Sequence, residues 1–177
     1  TIASLSEIDT ARMTTLLNHF GNYLRRSFNV RNTEKLIPLE EELEIVRSYV
    51  YIEQQRFGNR LTIEWDIDDD LAVHVPPLSI QPLVENAIQH GVLKRAAGGT
   101  VKITANEKED EVTISIHDDG VGIDSAKVEK LLTDKASSKR GIGIANTNER
   151  LKKLFGKGLE IQSKPGKGTT VLFNVPK

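Results

Sequence analysis

Gln81-Pro-Leu-Val-Glu-Asn-Ala-Ile-Gln-His-Gly91 is a polar helical stretch that ends in glycine, and it decides the fold that we expect. Three glycine-centred turns follow it in the order Asp118-Asp-Gly-Val-Gly-Ile123, Gly141-Ile-Gly-Ile144 and Gly166-Lys-Gly-Thr169. Glycine has no Cβ, so the backbone of such turns can approach phosphate groups closely. The helix and the three turns together predict one nucleotide pocket.

Residues 1–57 carry helical patterns. Asp9 or Thr10 can cap a first helix, and Pro38 followed by three glutamates suits the start of a second. Two interpretations stay open: an ordinary helical hairpin that rests on the core, or part of a dimeric bundle. The apolar positions recur at helical spacing, with Met13, Leu17, Phe20 and Leu24 in the first helix and Leu39, Leu43, Val46 and Val50 in the second.

Residues 58–177 mix strands with helices, one of which is the 81–91 stretch. Alternating apolar residues predict strands, and 142–155 predicts a helix with Leu151 and Leu154 on its apolar side. We therefore predict an α+β fold, a two-layer α/β sandwich with a mixed, largely antiparallel sheet that a helical hairpin precedes. We also predict two domains, 1–57 and 58–177. The expected strands are 61–67, 101–105, 112–116, 159–161 and 170–175.

Composition narrows the function classes. The net charge is −1 with both signs interspersed, so no nucleic-acid partner is expected. There is no cysteine, which excludes disulfides and thiolate metal sites. No apolar run approaches the roughly 20 residues of a membrane span. Because the chain begins at Thr1 without methionine, we expect a piece of a longer protein, in which any membrane anchor belongs to upstream segments.

Three polar side chains suggest the chemistry of the pocket. The amide oxygen of Asn86 is a hard ligand that suits Mg²⁺. His90 lies four residues on, where it either contacts a phosphate or has a structural role. Asp118 either binds a base or belongs to an ordinary hairpin turn. An ionised aspartate only accepts hydrogen bonds, and adenine offers an amine where guanine offers a carbonyl, so this residue favours ATP over GTP.

The whole pattern resembles the ATP-binding domain that sensor histidine kinases, type II topoisomerases, the ninety-kilodalton chaperones and mismatch-repair ATPases share. Within that superfamily it is most similar to sensor histidine kinases of the LytS/YehU type, from about Ala11 to the C-terminus. The segments that carry this likeness are Pro38-Leu-Glu-Glu-Glu-Leu43, Tyr49-Val-Tyr-Ile-Glu53, Arg56-Phe-Gly-Asn-Arg-Leu61 and Pro76-Pro-Leu-Ser-Ile-Gln-Pro-Leu-Val-Glu-Asn86.

The resemblance implies a Bergerat ATP-binding fold with assigned site residues. Asn86 would bind the Mg²⁺ that bridges the ATP phosphates, and Asp118 would bind the adenine amine. Gly120 and Gly122 would leave room for the base, and Thr169 would hold the base or a neighbouring water. Glycines at a helix start expose amides to phosphate, which indicates Gly141 and Gly143, with help from Asn146.

Two further features flank the phosphate glycines. Arg150 is expected to be a solvated charge on the exposed side of its helix. Residues 133–140 are rich in small and basic side chains, and they form either a mobile lid over ATP or a loop with no role.

Glu85 is the catalytic candidate, with a limited role. Relatives that hydrolyse ATP carry their activating glutamate four residues before the asparagine, and here that position is Pro82. Glu85 directly precedes Asn86, about 100° around the helix, so it cannot take the same place. It either polarises the acceptor imidazole or pairs with a cation. We expect slow hydrolysis, with transfer to a side chain still possible.

The resemblance implies that this chain is the catalytic part of a two-component sensor histidine kinase. The full-length protein would be a homodimer, and this part would lie in the cytoplasm of a bacterium, within a protein that is anchored in the membrane. It would transfer the γ-phosphate of ATP to a histidine for relay to a response regulator. The family's acceptor motif, Asn-Pro-His-Phe-Leu-Phe-Asn, is absent and is expected upstream of Thr1; Asn18-His-Phe-Gly-Asn22 imitates it, but Leu24-Arg-Arg-Ser-Phe28 matches a later helix. The alternatives are an anti-sigma-factor-type serine kinase switch and an ATP-gated interaction module.

Overall fold

Two long helices open the fold. The structure is a computed structural model that describes residues 9–31, 36–124, 127–128, 131–132 and 142–177. Helix α1 spans Thr10–Arg31, and the backbone amide of Arg12 donates to Asp9 Oδ1 at 2.9 Å, which confirms the predicted cap. Helix α2 spans Leu39–Phe57 and follows Pro38. Neither these nor any other described helix is long and apolar enough to cross a membrane.

The two predicted apolar stripes differ in burial. The α2 stripe is buried in the core. On α1 the buried hydrophobic residue, among those that the structure describes, is instead Leu16, while Leu17, Phe20 and Leu24 are exposed together with Phe28. Most of the α1 stripe is thus not packed within the described part of the chain, and both interpretations of the helical segment stay predictions. A 3.6-residue period defines one apolar face, and the side of α1 that is buried against α2 is a different one, which carries Leu16.

A five-stranded sheet forms the second layer, and its strands are β2 (Leu61–Ile67), β4 (Gly99–Lys108), β5 (Glu111–Asp118), β6 (Glu160–Ser163) and β7 (Thr169–Pro176). Their order across the sheet is β2-β4-β5-β7-β6. The β2–β4 pair is parallel and the other three pairs are antiparallel, which confirms the mixed, largely antiparallel α+β fold. A separate antiparallel pair joins β1 (Ile37–Pro38) to β3 (His74–Val75).

Two helical segments carry the predicted motifs. Helix α3 spans Gln81–Asn86, continues as a π-helical turn over Ala87–Gly91 and ends in a 3₁₀ turn over Val92–Lys94. Helix α4 spans Ile142–Phe155. Leu151 of α4 is fully buried as predicted, but Leu154 is exposed, which corrects its predicted place in the core.

One hydrophobic core joins the layers. Alternate residues of the central strands are buried, such as Ile103 in β4 and Ile114 in β5. Leu43 and Val46 of α2 belong to the same cluster. Helix α2 therefore packs directly against the part of the fold that carries the nucleotide motifs, whereas α1 lies farther from that core.

Candidate nucleotide-binding site

Asp118 lies at the end of β5, at the base of the predicted adenine pocket. Its side chain is buried, and its Oδ1 accepts from the Gly120 amide at 2.9 Å. The strand register places Thr169 of β7 directly opposite it. Burial raises the pKa of Asp118 to about 6, although backbone hydrogen bonds from Gly120 and Thr169 act in the other direction. An acceptor fixed in a place largely shielded from water suits recognition of a base amine.

Glycines surround this carboxylate because no Cβ fits there. A Cβ on Gly91 would lie 2.4 Å from Asp118 Oδ1, and one on Gly120 would lie 2.2 Å from the Gly91 carbonyl carbon. Gly168 has φ +85°, and its Cβ would lie 1.9 Å from the Asp118 carbonyl oxygen. Gly91 and Gly168 were not among the predicted site residues. Gly91 ends the first quoted motif and Gly168 lies inside the last one, but the atom that an added Cβ on each glycine would approach most closely belongs to Asp118 in another motif.

The second half of the turn after Asp118 is tied to the hairpin between β6 and β7. Gly122 has φ +66°, and a Cβ there would lie 2.1 Å from the Lys164 carbonyl oxygen. Ser163 Oγ accepts from the Ile123 amide at 2.8 Å and lies 2.9 Å from Thr169 Oγ1. The structure thus brings together Asp118, Gly120, Gly122 and Thr169, and it adds Ser163, which the sequence analysis missed.

Asn86 ends α3 and is half-buried. Its Nδ2 donates to the Pro82 carbonyl at 2.6 Å, so its Oδ1 is the atom that can bind a metal. An amide oxygen fits Mg²⁺, which takes oxygen ligands and keeps several waters. His90 is exposed, within the π-helical turn that follows.

Glu85 faces the helical segment rather than the glycine turns. Its Oε2 accepts from Gln81 Nε2 at 3.2 Å, and the same nitrogen lies 3.5 Å from the Tyr23 hydroxyl of α1. Glu85 is exposed. Its side chain therefore points toward α1, on a different side of α3 from Asn86.

A cleft of about 750 Å³ separates the start of α3 from α4. Pro82 lines it from α3, and Gly143 and the exposed Asn146 line it from α4. Gly143 lies in the first turn of α4, where a Cβ would meet Pro82 Cβ at 3.2 Å. Gly141 and the predicted lid, 133–140, lie outside the described residues.

Arg150 is not the solvated charge that we predicted. Its Nη2 donates to the Leu78 carbonyl at 3.0 Å, and burial lowers its pKa, while the nearby Glu42 carboxylate opposes that shift. The reason is tertiary, because α4 crosses the turn that precedes α3 and carries Arg150 against it.

Two family models match the chain. The model described as "Histidine kinase-, DNA gyrase B-, and HSP90-like ATPase" matches residues 78–177, and the model "Histidine kinase" matches residues 1–61. The first covers more than half of the chain and includes all the glycine turns.

Relatives and solved structures agree with these matches. The chain is 43% identical to YwpD of Bacillus subtilis over 97% of its own length, and 38% identical to the sensor protein LytS of Bacillus anthracis over 100%. It spans 61% of the first relative and 31% of the second. The catalytic domain of histidine kinase ThkA superposes with a TM-score of 0.63 at 21% identity, over 81% of this chain and 97% of that domain, a likeness of fold.

Proposed function

This chain belongs to the histidine kinase-, DNA gyrase B- and HSP90-like ATPase family, and from that membership we propose that it is the ATP-binding catalytic part of a two-component sensor histidine kinase. The whole protein transfers the γ-phosphate of ATP to one of its own histidines, for relay to a response regulator. The observation that carries the proposal is Asp118, a buried acceptor enclosed by glycines whose Cβ atoms would have no room.

The proposed ligand is ATP with Mg²⁺. Asp118 accepts from the adenine amine, and Gly120 and Gly122 leave space for the base. Asn86 offers Oδ1 to the metal, which would offset the negative charge of the phosphates. The remaining proposed contacts are Thr169 at the base and Gly141, Gly143, Asn146 and His90 at the phosphates.

Glu85 is the proposed catalytic side chain, with the role of polarising the acceptor imidazole. Its orientation toward Tyr23 of α1 supports this role, because an acceptor helix would approach from the helical segment.

The proposed assembly follows from α1. Its exposed residues Leu17, Phe20, Leu24 and Phe28 repeat at helical spacing, which supports a homodimeric bundle in the whole protein. We keep the division into 1–57 and 58–177 as a proposal about function, since the core itself continues from α2 into the sheet. The chain would work in the cytoplasm, where ATP is supplied, and any membrane anchor would lie upstream.

Phosphate chemistry tests the proposal. A longer version of the protein that includes the segment before Thr1 should, with γ-labelled ATP, acquire an acid-labile, base-stable phosphate that passes to a response regulator aspartate. An acid-stable phosphoserine on a partner protein would instead support the serine-kinase alternative. ATP binding with no transferred label would support the interaction module.

A further inference from the structure

Glu42 is a buried carboxylate in the first turn of α2. It is 0% exposed and accepts three backbone hydrogen bonds from the turn that leads into α3. Its Oε2 accepts from the Leu78 amide at 2.8 Å, while its Oε1 accepts from the Ile80 amide at 2.9 Å and from the Gln81 amide at 3.2 Å. A buried carboxylate is costly unless such bonds compensate it, so α2 and this turn hold each other in place.

Arg150 holds the same turn from the opposite side. It donates to the Leu78 carbonyl at 3.0 Å, so the two backbone polar groups of Leu78 bind Glu42 and Arg150. Leu78 has φ +53°, a left-handed conformation that a non-glycine residue rarely adopts. The turn thus depends on side chains supplied by α2 and α4.

A chain of hydrogen bonds leads from this turn to the proposed metal ligand. Glu42 fixes the backbone of Gln81, and the next carbonyl, of Pro82, accepts from Asn86 Nδ2 at 2.6 Å. That bond decides which atom of the Asn86 amide faces outward.

Helix α2 also contacts the segment beyond Asn86. Gln89 Nε2 donates to Glu53 Oε2 at 2.6 Å, within the π-helical turn. Asn86 therefore lies between two points at which α2 holds its helix.

We propose that Glu42 is a positioning residue for Asn86, so that α2 sets the orientation of the metal-binding amide and links the helical segment to the affinity for Mg²⁺-bound ATP. This inference rests on the proposed function, in which Asn86 binds Mg²⁺. Groups that orient a metal ligand typically change metal affinity about 10- to 100-fold when they are removed.

The test is Glu42→Gln in this chain, with calorimetric titration of ATP in excess Mg²⁺. Glutamine keeps the size, but it retains only one acceptor oxygen for the three amides and carries no charge opposite Arg150. Affinity should fall about 10-fold. Glu41→Gln makes the same change on an exposed neighbour in the same helical turn, and it should leave the affinity unchanged.

Double-mutant cycles separate positioning from a general loss of stability. In an Asn86→Ala background, Glu42→Gln should change the affinity less than about twofold, since the group that it positions is gone. In an Asp118→Ala background it should still cost about 10-fold. The proposal would be overturned if Glu42→Gln lowered ATP affinity equally in all backgrounds, or if it did not lower the affinity of the otherwise unsubstituted chain.

Two controls complete the design. If circular dichroism shows that Glu42→Gln does not fold, Glu42→Asp enters the same cycles, because it keeps the charge and loses only reach. Its smaller loss should also vanish with Asn86→Ala, and persistence of that loss would overturn the proposal. If the unsubstituted chain does not bind ATP with Mg²⁺, the proposed function itself fails, and this outcome is distinct from every Glu42 result.

Discussion

At the scale of single residues, Asp118 gives the pocket a measurable pH dependence. Burial raises its pKa to about 6, so in the nucleotide-free chain the carboxylate is mostly protonated at pH 5 and mostly ionised at pH 7. Only the ionised form accepts at both oxygens. We predict that ATP affinity, measured by calorimetry, increases as the pH rises through this range.

The phosphates of ATP titrate nearby, so the comparison needs Asp118→Asn, which keeps the shape but cannot ionise. The ratio of the wild-type affinity to that of the variant should rise with pH, with its midpoint at or below about 6 because nucleotide binding favours the ionised form. A ratio that stays constant from pH 5 to pH 7 would show that Asp118 does not change charge at the site.

The glycines give a second residue-scale prediction. In Gly91→Ala, the new methyl group would lie 2.4 Å from Asp118 Oδ1, so the carboxylate must leave its position. We expect ATP affinity to fall at least about 10-fold, the loss of one hydrogen bond to a charged group, in a chain that still folds.

Gly21→Ala is the matched control. Gly21 lies in α1, and in the described part of the chain no neighbouring atom lies within 4 Å of the place that an added Cβ would take. The alanine should therefore raise the free energy of unfolding by about 0.5–1 kcal/mol and leave ATP affinity unchanged. Equal ATP affinity in the Gly91 and Gly21 variants would contradict the assigned adenine position.

Candidate site residues could be identified where their signal is local in sequence, and their roles stay predictions. Asn86 and Asp118 lie within short motifs, so the chemistry of their side chains can be inferred without knowledge of the fold. Glu42 and Arg150 were not predictable as partners of Leu78, because 36 and 72 residues separate them from it and only tertiary packing brings them together.

At the scale of elements, the orientation of α3 predicts slow ATP hydrolysis. Pro82 occupies the place of the activating glutamate, and Glu85 hydrogen-bonds Gln81 on the side that faces α1. A steady-state phosphate-release assay should therefore detect very little turnover. Glu64→Ala, at an exposed position of β2, is the control. Rapid turnover that is lost in Glu85→Ala and kept in Glu64→Ala would instead show that Glu85 is a water-activating base.

Element positions followed from periodicity, but partners did not. The alternation in 101–105 and 112–116 correctly located β4 and β5, although the strands extend farther at both ends. The parallel pairing of β2 with β4 could not be predicted from the two-residue alternation, because side chains alternate in the same way in parallel and antiparallel strands. The π-helical turn after Asn86 was likewise not predictable from helical spacing.

At the scale of the whole molecule, we predict that this chain does not phosphorylate itself. His19 stacks on Tyr51 of α2 with ring centroids 4.1 Å apart, and its Nδ1 is buried, so its imidazole is held within the helical hairpin. Incubation with γ-labelled ATP should leave no acid-labile phosphate on the chain. Labelling that His19→Gln removes would identify His19 as the acceptor and contradict our alignment of the first helix.

The central claim is that the 177-residue chain binds ATP through Asp118, and calorimetric titration in Mg²⁺ tests it most directly. ATP should bind and GTP should bind far more weakly. Asp118→Ala should cost about 1.5–3 kcal/mol, a loss of roughly 10- to 100-fold, because a hydrogen bond to a charged group is lost. Asp69→Ala, an exposed aspartate beyond the far end of β2, should change nothing. Equal affinity for ATP and GTP, or a folded Asp118→Ala chain that binds ATP like the Asp69 variant, would contradict the account.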